Sequence, residues 1–331
     1  SGCRQDSRRL GRIFSITRKQ VHGASREAEA SMNAIITDNL TKTFVSKIGP
    51  TLAVRQLSLL IKANSIYGLI GHNGAGKTTT FMLLNTLLEP TEGSGWILGL
   101  DLLTQQKRIR KLTGLLSENL RLYDELTVEE TLLFFADLYG VNPNVYSLLE
   151  RFELLDWRKQ QIGRLSTGMR KKVAILSACI HQPRLLFLDE PFSGLDPLAM
   201  QGLRDFINYL LEYNEMTVII ASHNLKEMAG LCDEVGIMKE GQMVISGTLD
   251  MIKQQYGFSD HIEIKVDRLP TGLERLITSP AAGIISLVNK PNDLDLVLRT
   301  LMEQDIRVLD IVKQTAALED VYQRIYQGVA Q

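Results

Sequence analysis

From Gly71 to Thr80 the chain reads GHNGAGKTTT, directly after the apolar run IYGLI. Gly71, Gly76, Lys77 and Thr78 fit the spacing G-x-x-x-x-G-K-[ST], and TTTFMLLNTLL then has the character of a helix. Glycines at this spacing let backbone amides turn inward around a polyphosphate. The cradle spans Gly71, His72, Asn73, Gly74, Ala75, Gly76, Lys77, Thr78 and Thr79. The start of the helix adds free N–H groups and a positive dipole end aimed at the same anion. Lys77 offers a point charge for β- and γ-phosphates, and the Thr78 hydroxyl suits Mg²⁺. A glycine-rich turn without a ligand would leave the strand-before, helix-after context unexplained. The stretch therefore predicts a nucleoside triphosphate site, without saying what the energy drives.

A second segment, RLLFLDEP, delivers Asp189 and Glu190 to the end of an apolar strand, the edge where open α/β sheets hold ligands. Burying two adjacent acids there is costly without a cation or another partner. Asp189 would hold the metal, and Glu190 would accept a proton from attacking water. A positioned base is worth about 10²–10⁴ in rate, or about 3–5.5 kcal/mol of barrier. His223 ends another apolar strand, TVIIASH. A lone histidine in that place is more often structural, but its position puts it on the same sheet edge as Lys77 and Asp189, able to orient phosphate and water. LSTGMRKK opens a further helix with Ser166 as N-cap and Gly168 leaving the amides open. Taken alone, an ordinary capped helix explains that segment.

These side chains need a scaffold of alternating strands and helices. The 331 residues can bury one large core or two, and 44% hydrophobic and 23% charged residues are ordinary for a globular chain. A net charge of −1 gives no global sign of nucleic-acid binding. Cys3, Cys179 and Cys232 lack metal-ligand spacing and suit a reducing compartment. No apolar run approaches the ~20 residues of a membrane span, so the chain would serve a channel or carrier only from outside the bilayer.

Residues 1–31 are rich in Arg and Ser and read as a basic, disordered or artefactual extension. The sharper reading is a lipid-binding arm or transit-like peptide, since Leu10, Ile13, Phe14 and Val21 fall on one helical face. From Met32 to Gly257 strands and helices alternate, which predicts an α/β fold with a mainly parallel sheet. Within it LTVEETLLFFADLYGV is a helix opened by a Thr127/Glu130 capping box, and GIMKEGQMVISGT is a hairpin turning at Glu240-Gly241. Residues 258–331 form a small α+β unit. There IEIKV, ISLVN and VLDIV are strands, and LERLIT, DLDLVLRTLMEQ and ALEDVYQRIYQ are helices. A ferredoxin-like arrangement is one that this order allows.

In order, these motifs resemble the ATP-binding subunit of ABC transporters over Met32–Gly257. They are a Walker A motif (Gly71–Thr78), a signature (LSTGM, Leu165–Met169), a Walker B motif (Leu185–Asp189) with Glu190, a D-loop (SGLD, Ser193–Asp196) and a switch histidine, His223. The resemblance implies a P-loop ATPase core with a helical subdomain at about 114–163, and a head-to-tail dimer, of like or paired subunits, around two ATP. Ser166 and Gly168 would then bind ATP in trans, and Asp196 would link the two sites. Phe44 would stack on adenine, with core packing as its plain alternative. Where the family's Q-loop usually presents glutamine to Mg²⁺, this chain has Glu118, which we read as a mark of the ABC-2 export subtype. Met169 also ends the signature in place of glutamine.

Within that subtype the motifs look like subunits of sodium- or drug-export systems. The resemblance implies a peripheral subunit at the cytoplasmic face of the membrane, coupled to a separate permease. Tyr123, Leu126 and Phe134 would either touch that partner or form the insertion's own core. Two rival readings explain less. A soluble ABC ATPase with a non-transport partner lacks the second cassette of the translation-factor type and the long coiled coil of the DNA-repair type. A small-molecule kinase accounts for Lys77 and Asp189 but leaves LSTGM, SGLD and His223 without a task.

Overall fold

Parallel strands covered on both faces read as unbroken apolar runs, and three such runs form the centre of the fold. The computed structural model describes residues 32–327, except 48, 119, 229, 257, 259–260, 274–276, 280–282, 289–290 and 315–317. The extension expected at 1–31 lies outside the described residues. The chain divides into two compact units between Ile245 and Ser246.

The first unit opens with β1 (Asn33–Ser46), β2 (Gly49–Leu57), β3 (Leu60–Lys62) and β4 (Ile66–Ile70). Then come α1 (Lys77–Leu84), β5 (Glu92–Ile97), β6 (Leu100–Asp101), α2 (Gln106–Leu112) and β7 (Thr113–Leu116). A helical stretch follows, with α3 (Val128–Tyr139), α4 (Val145–Arg151) and α5 (Thr167–Cys179). The remainder is β8 (Leu185–Asp189), α6 (Pro197–Asn214), β9 (Thr217–Ser222), α7 (Leu225–Met228), β10 (Glu234–Lys239) and β11 (Gln242–Gly247).

Six strands form the main sheet, in the order β11-β10-β4-β9-β8-β7. The contacts from β10 through β7 are parallel, and β4, β8 and β9 are buried at every position. The rings of Phe81 on α1 and Phe187 of β8 meet in a T-shaped contact with centres 5.2 Å apart, a pairing worth about 0.5–1.5 kcal/mol beyond its area. That contact fixes the first helix against the strand that carries Asp189.

A second, antiparallel sheet was not anticipated. β1 pairs with β2, β3 and β5, and β5 with β6. The helix read over TTTFMLLNTLL is also shorter than expected and closes at Leu84. The backbone and side-chain N–H groups of Asn85 both donate to Phe81 O (2.9 Å), and Thr86 then takes a left-handed φ of 57°, which ends the helical run. The Thr127/Glu130 capping box forms as read, with Glu130 N donating to Thr127 Oγ1 and Thr127 N to Glu130 Oε2. Val128 and Leu132 are buried inward, whereas Tyr123 and Phe134 are exposed and Leu126 half-buried. The aromatic pair, edge to face at 5.7 Å, is thus not part of the insertion's core.

The second unit holds α8 (Leu249–Gln255), β12 (His261–Val266), β13 (Ile277–Ser279), β14 (Ile284–Val288), α9 (Pro291–Glu303), β15 (Val308–Gln314) and α10 (Leu318–Gln327). Its antiparallel sheet runs β13-β14-β12-β15. Ile264, Ile285, Val297 and Leu301 pack in its core. Two expectations shift here. Ile277 and Thr278 of LERLIT lie in a strand, with residues 274–276 outside the described set. The unit also begins ahead of residue 258, because α8 packs against α10 and Arg324 donates to Tyr256 O (3.0 Å).

A phosphate loop and two buried carboxylates at one sheet edge

Register in the main sheet does the positioning. Ile70 of β4 pairs with Ser222 of β9, and Ala221 of β9 with Asp189 of β8. Parallel pairing brings all three C-terminal ends to one edge, where the loop after Ile70, the Asp189-Glu190 pair and His223 meet.

The loop needs its glycines. Gly74 has φ 81° and Gly76 φ 99°, backbone that side chains rarely adopt. A Cβ on Gly76 would stand 2.5 Å from Ala53 O of β2, so only glycine fits between the loop and that strand. His72, Asn73 and Gly74 form an exposed crest, while Ala75 and Lys77 are buried and Thr79 half-buried. Gly76 is the N-cap of α1 and offers no side-chain cap, which leaves the first amides of the helix available to an anion.

Lys77 Nζ donates to Gly71 O at 2.6 Å and lies 3.5 Å from Glu190 Oε1. His223 Nδ1 lies 2.9 Å from the same oxygen, a close approach without an aligned hydrogen bond. The Thr78 hydroxyl donates to Asp189 Oδ2 at 3.0 Å. Asp189 is 2% exposed, and its Oδ1 is buried with no hydrogen-bond partner. Burial holds the Asp189 carboxyl above its ordinary value; the Thr78 hydrogen bond opposes this, and Glu190 and Glu118 push it further up.

Glu190 has a left-handed φ of 47°, a strained state for a residue with a Cβ. Hydrogen bonds at both its backbone groups hold it there, among them Ser193 N–H to its carbonyl at 3.2 Å. Its N–H donates to Ala221 O (2.9 Å), and its carbonyl accepts from Lys171 Nζ (3.1 Å). Burial lowers the Lys171 ammonium, and the charges of Glu118, Glu190, Glu227 and Asp189 act to raise it.

The other residues named from sequence lie on separate elements. Ser166 caps α5, its Oγ accepting from Met169 N at 3.3 Å, and Asp196 caps α6, accepting from Ala199 N at 2.9 Å. A Cβ on Gly168 would meet Ala199 at 3.2 Å. Phe44 lies on β1, 40% exposed, with Lys42 Nζ 5.4 Å from its ring centre. Glu118 is exposed, two residues beyond β7. Sequence reasoning missed Lys171, Ser222 and Glu227. Glu227 follows His223 by four residues, and only its burial marks it out.

The family model described as "ABC transporter" matches residues 54–193. The ABC transporter ATP-binding protein NatA of Bacillus subtilis (strain 168) is 33% identical, over 72% of this chain and 99% of its own length. The bacitracin transport ATP-binding protein BcrA of Bacillus licheniformis is 32% identical, over 90% and 99%. A solved structure described as an ATP binding subunit of an ABC transporter aligns with a TM-score of 0.59 at 30% identity, over 68% of this chain and 93% of that one. No helix among the described residues is long and apolar enough to cross a membrane. A phosphate loop, a carboxylate pair and a histidine on one sheet edge, in a chain this similar to such subunits over nearly their full length, place it in the ABC transporter ATP-binding family as the ATP-binding, ATP-hydrolysing subunit of a transporter.

Proposed function

We propose that the Gly71–Thr79 amides and Lys77 hold the β- and γ-phosphates of ATP while Glu190 accepts a proton from the attacking water. The P–O bond to ADP breaks as water oxygen bonds to phosphorus. His223, beside Glu190 Oε1, orients water and phosphate. The carrying observation is the convergence of Lys77 and His223 on one oxygen of a buried, strained glutamate. Phe44 is exposed enough to stack on the base.

The residues fit a hard divalent cation. The buried Asp189 Oδ1 lacks a partner, and the Thr78 hydroxyl stands beside the same carboxylate. No cluster of three or more His, Cys, Asp or Glu able to hold a metal occurs among the described residues, which suits Mg²⁺ taken up with phosphate oxygens and water rather than caged by protein. Thr78, Asp189 and Glu118 would hold it, and when bound it would offset negative charge on the phosphates.

Two subunits then close head to tail, with Ser166 and Gly168 presenting the start of α5 to the partner's nucleotide and Asp196 joining the sites. The exposed Tyr123–Phe134 pair supports docking of the helical insertion on a separate permease at the cytoplasmic membrane face. The cargo is a drug or sodium ions, moved outward. The test is ATP turnover by the full chain with Mg²⁺. Lys77→Ala should weaken nucleotide binding, and Glu190→Gln should bind ATP but lose at least about 100-fold in kcat. Normal turnover by Glu190→Gln would overturn Glu190 as the base.

A further inference from the structure

The site contains a second buried glutamate to which the reaction assigns nothing. Glu227, on α7, is 6% exposed. Its Oε2 accepts the Ser222 hydroxyl at 2.6 Å, and its Oε1 accepts Asn224 Nδ2 at 3.1 Å. The Asn224 backbone N–H donates to Ser222 Oγ at 3.0 Å, and Arg204 donates to Glu227 O at 2.7 Å. On its other side Ser222 Oγ stands 3.3 Å from Glu190 Oε2.

Serine has one hydroxyl hydrogen, and here two carboxylates face it. The distances decide between them: 2.6 Å is a short, charge-assisted bond, and 3.3 Å lies beyond the usual O–H···O range. We propose that Glu227 is a positioning residue for hydrolysis: it holds the Ser222 hydrogen, so that Glu190 keeps its carboxylate turned toward Lys77 and His223. Without Glu227 the hydrogen passes to Glu190 Oε2. That carboxylate is then drawn toward β9, and Oε1 leaves its place beside the ammonium and the imidazole. The hydrogen bonds of Glu227 go to Ser222, Asn224 and Arg204 rather than to the loop or α1, so nucleotide binding should not depend on it.

The inference rests on reading Glu190 as the base, and a double-mutant cycle separates the two. The full chain carries Glu227→Leu, Ser222→Ala or both, with kcat and KM for ATP, nucleotide affinity from a fluorescent ATP analogue, and melting temperature measured for each. A hydrogen bond to a charged group, formed where none should be, predicts a loss of about 10–100-fold in kcat for Glu227→Leu, with affinity within about twofold. Adding Ser222→Ala removes the misdirected hydrogen and recovers at least about fivefold. Glu227→Gln, which keeps the shape and a neutral acceptor, should lose less than Glu227→Leu and serves the same cycle if the leucine variant does not fold. Losses that simply multiply in the double variant, or kcat and affinity falling together, would mean that Glu227 only folds the α7 segment, and the inference would be overturned. Glu190→Gln hydrolysing at the normal rate would sink the base instead, a result the cycle does not mimic.

Discussion

Gly76→Ala tests how the loop is shaped, and Gly74→Ala is its control. Both glycines sit at positive φ, 99° and 81°. Placing a Cβ in left-handed backbone costs about 1–2 kcal/mol at either position. The two differ in what the Cβ would meet. At Gly74 nothing lies within 4 Å, whereas at Gly76 the carbonyl oxygen of Ala53 lies at 2.5 Å. That atom is backbone of β2, which pairs with β1, so it cannot swing aside as a side-chain tip could. Forcing a small group into packed backbone costs about 1–3 kcal/mol more. Gly74→Ala should therefore lose about 1–2 kcal/mol and Gly76→Ala about 2–5 kcal/mol, a large part of a typical 5–15 kcal/mol. Urea unfolding followed by tryptophan emission is the assay, because Trp96 and Trp157 both lie in the first unit and report on it alone. Equal losses for the two variants would show that the Ala53 contact does not constrain the loop.

Two further predictions concern groups outside the loop. His181 stacks on Tyr139 with ring centres 3.8 Å apart, its Nε2 3.1 Å from Thr113 O and its Nδ1 buried without a partner. Burial lowers its pKa from 6.5, so the unfolded chain binds the proton more readily. The His181 contribution to stability is then fully present above pH 6.5 and lost as pH falls toward the depressed folded value. His181→Phe should flatten the fall in urea midpoint between pH 7 and 5, and an unchanged slope would refute the assignment. Cys179 and Cys232 are half-buried, and desolvation pushes their thiols up to about 12, which leaves almost no thiolate at pH 8. Iodoacetamide should modify both much more slowly in the native protein than in denaturant, as read by peptide mapping; equal rates in the two states would contradict the raised values.

Local signals in this sequence were readable where one segment holds the whole cause. The Gly71–Thr78 loop, the Thr127/Glu130 capping box and the Ser166 cap each depend on residues within a few positions of one another. Strands β4, β8 and β9 were legible because strands covered on both faces carry no polar interruption. The antiparallel sheet was not legible, since β1 is defined by remote partners: Ile35 pairs with Ile97, and Leu40 with Leu57. No window on residues 33–46 contains those strands. The end of α1 turns on Thr86, which takes left-handed backbone (φ 57°) where helical propensity favoured continuing. Glu227 was hidden for a different reason. On a short helix a glutamate reads as a solvated residue, and only the fold shows that it is buried against Ser222.

The central strand explains why these residues work as a set. β9 lies between β4 and β8 and contributes neither the phosphate loop nor the Asp189-Glu190 pair. Its backbone nonetheless ties both of them in place. Ser222 O accepts the Gly71 N–H at 3.2 Å, tying down the start of the loop, and Ala221 O accepts the Glu190 N–H at 2.9 Å, holding the strained glutamate. The next side chains along the strand, Ser222 and His223, then reach the two carboxylate oxygens of Glu190 from different sides. A slip of one residue would exchange the faces of the whole strand, breaking both backbone ties and both side-chain contacts together. With all six positions of β9 buried, such a slip is opposed by the entire apolar core. The precision of the site is therefore borrowed from hydrophobic packing several residues away, which is why the chemistry sits at strand ends.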